Sequence, residues 1–337
     1  MKSLFIISNE SIFKKFENYY CDNIDLKVIP EELNKFFNIT LIGRNSKNPR
    51  SKIINLKKIK LFKKNFFSLT QLFKIIISRN NTYLVISISP FTFFFIILLK
   101  LFRKKYFIYL RSDGYQEYKS IAGRLGVLIY HFMFTIASKN AHMISCRKHL
   151  LKSNSGIVIS PSQLSQIWFV DKKKIDPKDI KLLYVGRLRV EKGIFSLIEI
   201  IKNSEFNLTI LTSELNCQLS NNFKNIKLIS HENYNDTIIK FYDQHTIFIL
   251  PSYTEAHPQV LDEALARERP VIIFKDIEHV IRDRKGIFVC DRNLRSLTET
   301  INYITNNYEI ILESLRKNKL PTKIDFLNDL KKILSKT

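Results

Sequence analysis

The chain's 337 residues are too many for one ordinary core and suit two domains, and 45% hydrophobic residues with 26 Phe supply substantial interiors. Lys and Arg number 54 against 31 Asp and Glu, a net of +23 that calls for an anionic partner, either nucleic acid or the acidic face of a membrane. The four cysteines, Cys21, Cys146, Cys217 and Cys290, lie far apart without metal-like spacing, which suits a reduced, cytoplasmic protein.

In chain order, the apolar run near Met1 is too short for a signal peptide and predicts a first buried strand over 4–8. Further strands are expected at 39–43, 83–87, 106–111 and 142–145, with helices between them such as 68–78 and 119–137. No acidic residue occurs from Leu33 to Ser112. In that stretch Arg44, Arg50, Lys57, Lys58 and Lys64 alternate with Ile53, Leu56, Leu61, Phe66 and Phe67, a surface suited to anions. Residues 84–99 are 16 uncharged residues holding Pro90 and closed by Lys100. A membrane span needs roughly 20. A buried strand, a turn at Pro90 and a hydrophobic helix are predicted instead, with Arg103, Lys104 and Lys105 placed to suit a membrane interface.

A linker is expected near Ser160-Pro161-Ser162. Residues 1–165 hold 27 Lys and Arg against 8 Asp and Glu, a net of +19, whereas 166–337 hold 27 against 23, a net of +4. The second half continues with strands at 182–185, 208–211, 226–229, 246–250, 271–274 and 286–289. Strands alternating with helices imply parallel sheets covered on both faces. The predicted fold class is therefore α/β, two doubly wound Rossmann-like domains facing a cleft, with ligands at the carboxyl ends of the strands.

Two patches carry chemistry. The strand at 182–185 runs into Gly186-Arg187-Leu188-Arg189-Val190-Glu191-Lys192-Gly193. Gly186 allows a sharp turn, and Arg187 and Lys192 offer a fork and a point charge suited to a diphosphate. The strand ending at Leu250 runs into Glu255-Ala256-His257-Pro258-Gln259, with Glu263 eight residues after Glu255. A helix opening at Pro258, a residue suited to the first helical position, puts free amides and a positive dipole end beside a carboxylate. His257 is a weaker candidate. In the first half Asp113 follows a strand as Arg111-Ser112-Asp113-Gly114; it is a candidate contact for a sugar or acceptor, and equally a turn-forming Asp-Gly pair.

Together, Gly186, Arg187, Leu188, Glu191, Lys192 and Gly193, then Glu255, Glu263, Ala264, Leu265 and Ala266, resemble the donor-binding half of family 4 retaining glycosyltransferases of GT-B fold. The likeness is specific over about 181–290. Two departures are Ala256-His257-Pro258 in place of Gly-Phe-Gly and the lack of a glycine-rich N-terminal loop. The resemblance implies an acceptor domain over 1–162, a nucleotide-sugar domain over 163–319, and a closing helix within 320–337 that crosses back to the first domain. It implies that Glu255 holds sugar hydroxyls and Glu263 the ribose, with retention at the anomeric carbon. Without an Asp-x-Asp pair no metal or other cofactor is expected, and Arg187, Lys192 and the amides near Pro258 would neutralise the departing diphosphate. A basic first domain suits a peripheral enzyme on the inner face of the plasma membrane, acting on a lipid-linked glycan in bacterial surface polysaccharide, O-antigen or lipopolysaccharide assembly. The alternatives are an inactive homologue serving as a membrane adaptor, and a nucleic-acid-binding protein; the latter ranks low because no helix-turn-helix, zinc spacing or RNA-binding motif is present.

Overall fold

The computed structural model describes residues 1–62, 81–212, 223–230 and 236–336. The helix expected at 68–78, the residues Lys64, Phe66 and Phe67, and Cys217 lie outside them. The chain divides into two compact units, Met1–Ser160 with Ile324–Thr337, and Pro161–Lys323.

In the first unit, strands β1 (Ser3–Lys15), β3 (Asn38–Asn45), β5 (Ile59–Phe62), β6 (Asn81–Ile86), β7 (Tyr106–Leu110), β8 (His142–Ser145) and β9 (Gly156–Val158) form a parallel sheet in the order β5-β3-β1-β6-β7-β8-β9. β1 is longer than the 4–8 expected. Its pairing with β3 shifts register between Ile7 and Ser11, and its far end then pairs antiparallel with β2 (Asn18–Cys21). The polar Ser8-Asn9-Glu10-Ser11 run thus marks a bulge inside the strand and not its end.

The basic stretch is also rearranged. Its apolar members lie on β4 (Lys52–Ile54), which pairs with β2, and around β5, with Ile54 buried and Leu56, Ile59 and Leu61 packed on the core. Strand alternation sends neighbouring side chains to opposite faces, so on β4 Ile54 turns inward while Ile53 is exposed. Of the cations, Arg44 bonds Asn9 O (2.7 Å) and Arg50 bonds Asp22 (2.6 Å).

Helices follow local signals. α1 (Ile24–Leu33) is capped by Asn23, whose Oδ1 accepts from Asp25 N at 3.0 Å. α2 (Pro90–Leu101) begins with Pro90 behind a Ser89–Thr92 capping box, and mean burial falls on Phe95, Ile96, Leu98 and Leu99. α3 (Gly114–Ser138) starts five residues before the expected 119 because Asp113 caps it, and it breaks at Ala122 and at Gly123 (φ 57°, ψ −138°). Only glycine enters that region without strain.

The second unit is a parallel sheet of β10 (Lys181–Val185), β11 (Asn207–Thr212), β12 (Ile226–Ser230), β13 (Ile247–Leu250), β14 (Val271–Phe274) and β15 (Ile287–Cys290), ordered β12-β11-β10-β13-β14-β15. This is the 3-2-1-4-5-6 order of a doubly wound fold, whose switch point lies between its first and fourth strands. Helices α4 (Ile194–Ile201), α5 (Asp236–Gln244), α6 (Gln259–Ala266), α7 (Leu294–Asn306) and α8 (Tyr308–Leu315) accompany it. Their apolar stripes, including Leu197, Ile201, Tyr242, Leu261, Ile301 and Leu312, join the strands in one core.

Two buried arginines tie the unit's entry segment down. Arg267 grips Asp243 through both carboxylate oxygens (2.9 and 2.8 Å) and donates to the carbonyls of Trp168, Val170 and Asp171. Arg269 donates to Tyr242 O and Lys173 O. The last helix, α9 (Lys323–Ser335), lies in the first unit, where Phe326, Leu330, Ile333 and Leu334 join the core of Leu4, Ile6 and Leu26.

Candidate functional site

Both patches singled out in the sequence leave the carboxyl ends of β10 and β13, the pair of strands at the switch point. Gly186 follows β10 and is held by its N–H to Leu211 O. A Cβ there would lie 2.6 Å from the Tyr184 hydroxyl, which reaches past it to donate to Arg187 O at 2.8 Å. The Arg187 side chain is exposed, and its guanidinium makes no hydrogen bond or ion pair among the described residues.

The two loops are bonded to one another. Tyr253 N donates to Glu191 O at 3.0 Å. Gly193 adopts φ 66°, and a Cβ on it would sit 1.9 Å from Pro251 O, so only glycine permits this approach. Lys192 Nζ then meets Glu255 Oε1 at 2.6 Å, and Ser252 Oγ donates to the same oxygen at 2.8 Å. The Glu255 side chain is 11% exposed. Its Oε2 has no hydrogen bond among the described residues, so an acceptor oxygen remains for incoming hydroxyls.

The helix after Glu255 opens one residue later than expected. Pro258 is the N-cap (φ −74°, ψ 109°) and Gln259 is the first helical residue. Proline's fixed φ serves an extended cap as well as a first turn. Leu261 N donates back to Pro258 O at 3.2 Å, and the positive dipole end of α6 faces the loop that carries Glu255.

His257 is turned away from solvent. Its Nδ1 accepts from Arg282 Nη2 at 3.1 Å, and its Nε2 lies 3.1 Å from Asp262 Oδ2. Arg284 also bonds Asp262. Burial pushes the Asp262 pKa up, but the His257 bond and the Arg284 charge outweigh it and hold the carboxyl below its usual value. Ala256 and Gln259 are both half-buried.

Glu263 is buried in α6. The Tyr242 hydroxyl lies 3.0 Å from its Oε2. Burial, reinforced by the charge of Asp262 and opposed by the Tyr242 bond, pushes its carboxyl up to about 7. The sign follows from linkage. A carboxyl that holds its proton more tightly when folded contributes stability below the unfolded value near 4.5, and loses it as pH rises toward 7. Glu263→Gln is therefore expected to flatten the decline in stability between those pH values, raising stability at pH 8 by up to about 3 kcal/mol. Urea unfolding at pH 4.5 and pH 8 tests this; an unchanged pH slope would contradict it.

Three residues that the sequence motifs did not indicate brace the site. Arg292, just after β15, donates to Pro251 O (2.9 Å) and Asp276 (2.6 Å), and lies over the rings of Tyr253 and Phe274 at 4.0 and 4.3 Å. His279 Nε2 donates to Glu255 O at 2.8 Å. Arg284 holds Asp262. No spacing rule links them to Glu255; only the adjacency of β13, β14 and β15 does.

Asp113 belongs to the first unit, where its Oδ1 accepts from Tyr115 N (3.0 Å) and Gln116 N (3.3 Å) as the cap of α3. Among the described residues, no three His, Cys, Asp or Glu side chains gather as a metal site.

Residues 167–319 match the family model "Glycosyl transferases group 1". The matched residues lie within the second unit. A capsular polysaccharide biosynthesis glycosyltransferase of Staphylococcus aureus, CapM, is 29% identical over 188 residues, covering 49% of this chain and 46% of that protein. The chain spans about half the length of the curated relatives it matches. Among solved structures, Anabaena HepE in complex with UDP has a TM-score of 0.72 at 12% identity, with 100% of both chains covered. WaaG, described as a glycosyltransferase involved in lipopolysaccharide biosynthesis, has a TM-score of 0.66 at 11% identity, with 99% and 100% covered. At these identities the likeness concerns the fold, which is GT-B with two Rossmann-like units.

Proposed function

We propose that the chain is a retaining glycosyltransferase that transfers a sugar from a nucleotide-sugar donor to a lipid-linked glycan, without a metal, in bacterial surface polysaccharide or lipopolysaccharide assembly. The observation that carries the reading is the joined pair of loops at the switch point, which sets Lys192 against Glu255 just before α6 begins, with the exposed Arg187 on the same loop as Lys192. The family match supports transfer, HepE's complexes with UDP and UDP-glucose support the donor class, and CapM and WaaG support the pathway.

In this mechanism the bond from the anomeric carbon to the diphosphate oxygen breaks, a bond to the acceptor hydroxyl oxygen forms on the same face, and the hydroxyl proton passes to the departing diphosphate oxygen. The leaving diphosphate gains negative charge, which Arg187, Lys192 and the α6 amides stabilise in place. Preorganised charge of this kind is commonly the largest catalytic contribution. Glu255 accepts hydroxyl hydrogens of the sugar, and Glu263 is assigned to the ribose side.

The test is a thermal-shift panel with UDP, GDP, ADP, CMP and dTDP, each with and without magnesium. A nucleotide at 100 times its dissociation constant adds about 2.7 kcal/mol to the folded state. The expected result is stabilisation by one nucleotide, unchanged by magnesium and lost in Arg187→Ala. A flat panel in a cooperatively unfolding protein would favour the inactive-homologue reading, and dependence on magnesium would overturn metal independence.

A further inference from the structure

Helix α3 carries two apolar stripes. Tyr130, Met133, Phe134 and Ala137 are buried in the first unit. Leu125, Leu128, Ile129 and Phe132 lie on another face and point to solvent, Leu128 being 65% exposed and Phe132 61%. Their i, i+3, i+4, i+7 spacing is the one helices ordinarily use to hide apolar side chains.

The stripe continues on α2. Phe132 packs on Phe93 at a centroid distance of 6.1 Å, and Phe94, Ile97 and Leu101 are exposed beside it. Lys100 Nζ fixes the two helices together by donating to Ile136 O and Lys139 O. Single exposed apolar residues need no explanation, but a contiguous set on two adjoining helices marks an interaction surface.

Charge selects the occupant. Arg103, Lys105, Lys119, Arg124 and Lys139 are exposed on or next to these helices. Between Leu33 and Val170 the sequence has two acidic residues, Asp113 and Glu117, and Asp113 is engaged as the cap of α3. A second copy of the chain would bring the same cations against each other in a two-fold contact. A bilayer rich in acidic headgroups matches both the cations and the apolar stripe.

The helix geometry selects the depth. Straight, 25 residues would reach about 37 Å, enough for a hydrocarbon core of about 30 Å. The break at Ala122 and Gly123 leaves a continuous segment of about 22 Å over 124–138, and its other face is packed into the unit. We propose that this face of α2 and α3 lies in the interface of an anionic bilayer without crossing it, the stripe at the headgroup–acyl boundary and the cations on lipid phosphates. The inference stands apart from the donor site, and its test requires no transfer activity.

The experiment is flotation of the full chain with vesicles of phosphatidylcholine alone or with phosphatidylglycerol. Binding is expected to phosphatidylglycerol vesicles, roughly 100-fold weaker without the acidic lipid, at a few-fold per cation. Leu125→Ser, Leu128→Ser and Phe132→Ser combined are expected to weaken it on the order of 100-fold while the melting temperature holds, because these side chains are already exposed. Phe132→Trp should show blue-shifted emission on vesicles over the constant signal of buried Trp168. Wild-type-like binding by the triple variant, or unshifted emission, would overturn the proposal. So would a wild-type dimer that the triple variant converts to monomer with vesicle binding intact, or membrane-bound protein that alkaline carbonate fails to release.

Discussion

Glu255→Ala is expected to lower transfer about 100- to 1,000-fold while the protein remains folded. One oxygen of this carboxylate is held by Lys192 and Ser252, so the side chain is positioned before any ligand arrives. The other is left to accept. Removing the group takes away both that acceptor and the bond that aims the Lys192 ammonium. The stability cost is small by comparison: Lys192 is 24% exposed and can return to water, and pairs of that kind contribute about 1 kcal/mol or less. A thermal melt beside an initial-rate assay separates the two effects. Glu255→Gln keeps the shape and one acceptor oxygen but loses the charge, and should fall between wild type and alanine. Turnover retained in Glu255→Ala would remove Glu255 from the mechanism.

Arg267→Ala is expected to cost about 3–5 kcal/mol of stability in the second unit, because truncating one partner leaves a buried carboxylate without its counter-charge. Asp243 and Arg267 are 7% and 1% exposed, too little for water to replace the lost bonds. The cut also releases the carbonyls of Trp168, Val170 and Asp171, which hold the entry segment of the unit. Arg269 lies 3.7 Å from Asp243 and compensates only in part. Arg267→Lys should recover little, since an ammonium cannot make the two-pronged contact. Urea unfolding followed through Trp168, which packs in this region, reads the loss directly; a cost below about 1 kcal/mol would contradict the assignment.

Much of the second unit was legible because its signals are local. Apolar runs of four or five residues, each ended by glycine, proline or a charge, sit at β10, β13, β14 and β15 within a residue or two of the expected positions. Buried parallel strands must be apolar on both faces, and this makes them conspicuous. Gly186 and Gly193 were equally legible, since each stands where backbone and side chain come too close for a Cβ. In the basic stretch after Leu33 most of the described cations are exposed as expected, but local signals did not tell which apolar residues are covered. Alternating Lys and Ile reads as a surface until the pairing of β4 with β2 and of β5 with β3 shows which side is covered.

By itself, then, the sequence determined the alternation of strands and helices, the linker region, the two loops that carry Arg187, Lys192 and Glu255, and the uneven charge. These depend on periodicity and on residues close in the chain. Only the tertiary structure decided that Lys192 and Glu255 share a 2.6 Å contact, that Arg292, His279 and Arg284 brace their loop, and that Asp113 Oδ1 caps α3. It alone decided which of the two apolar stripes of α3 is covered. Such facts depend on strand order and on which face meets the sheet, and those arise from packing between segments far apart in the chain.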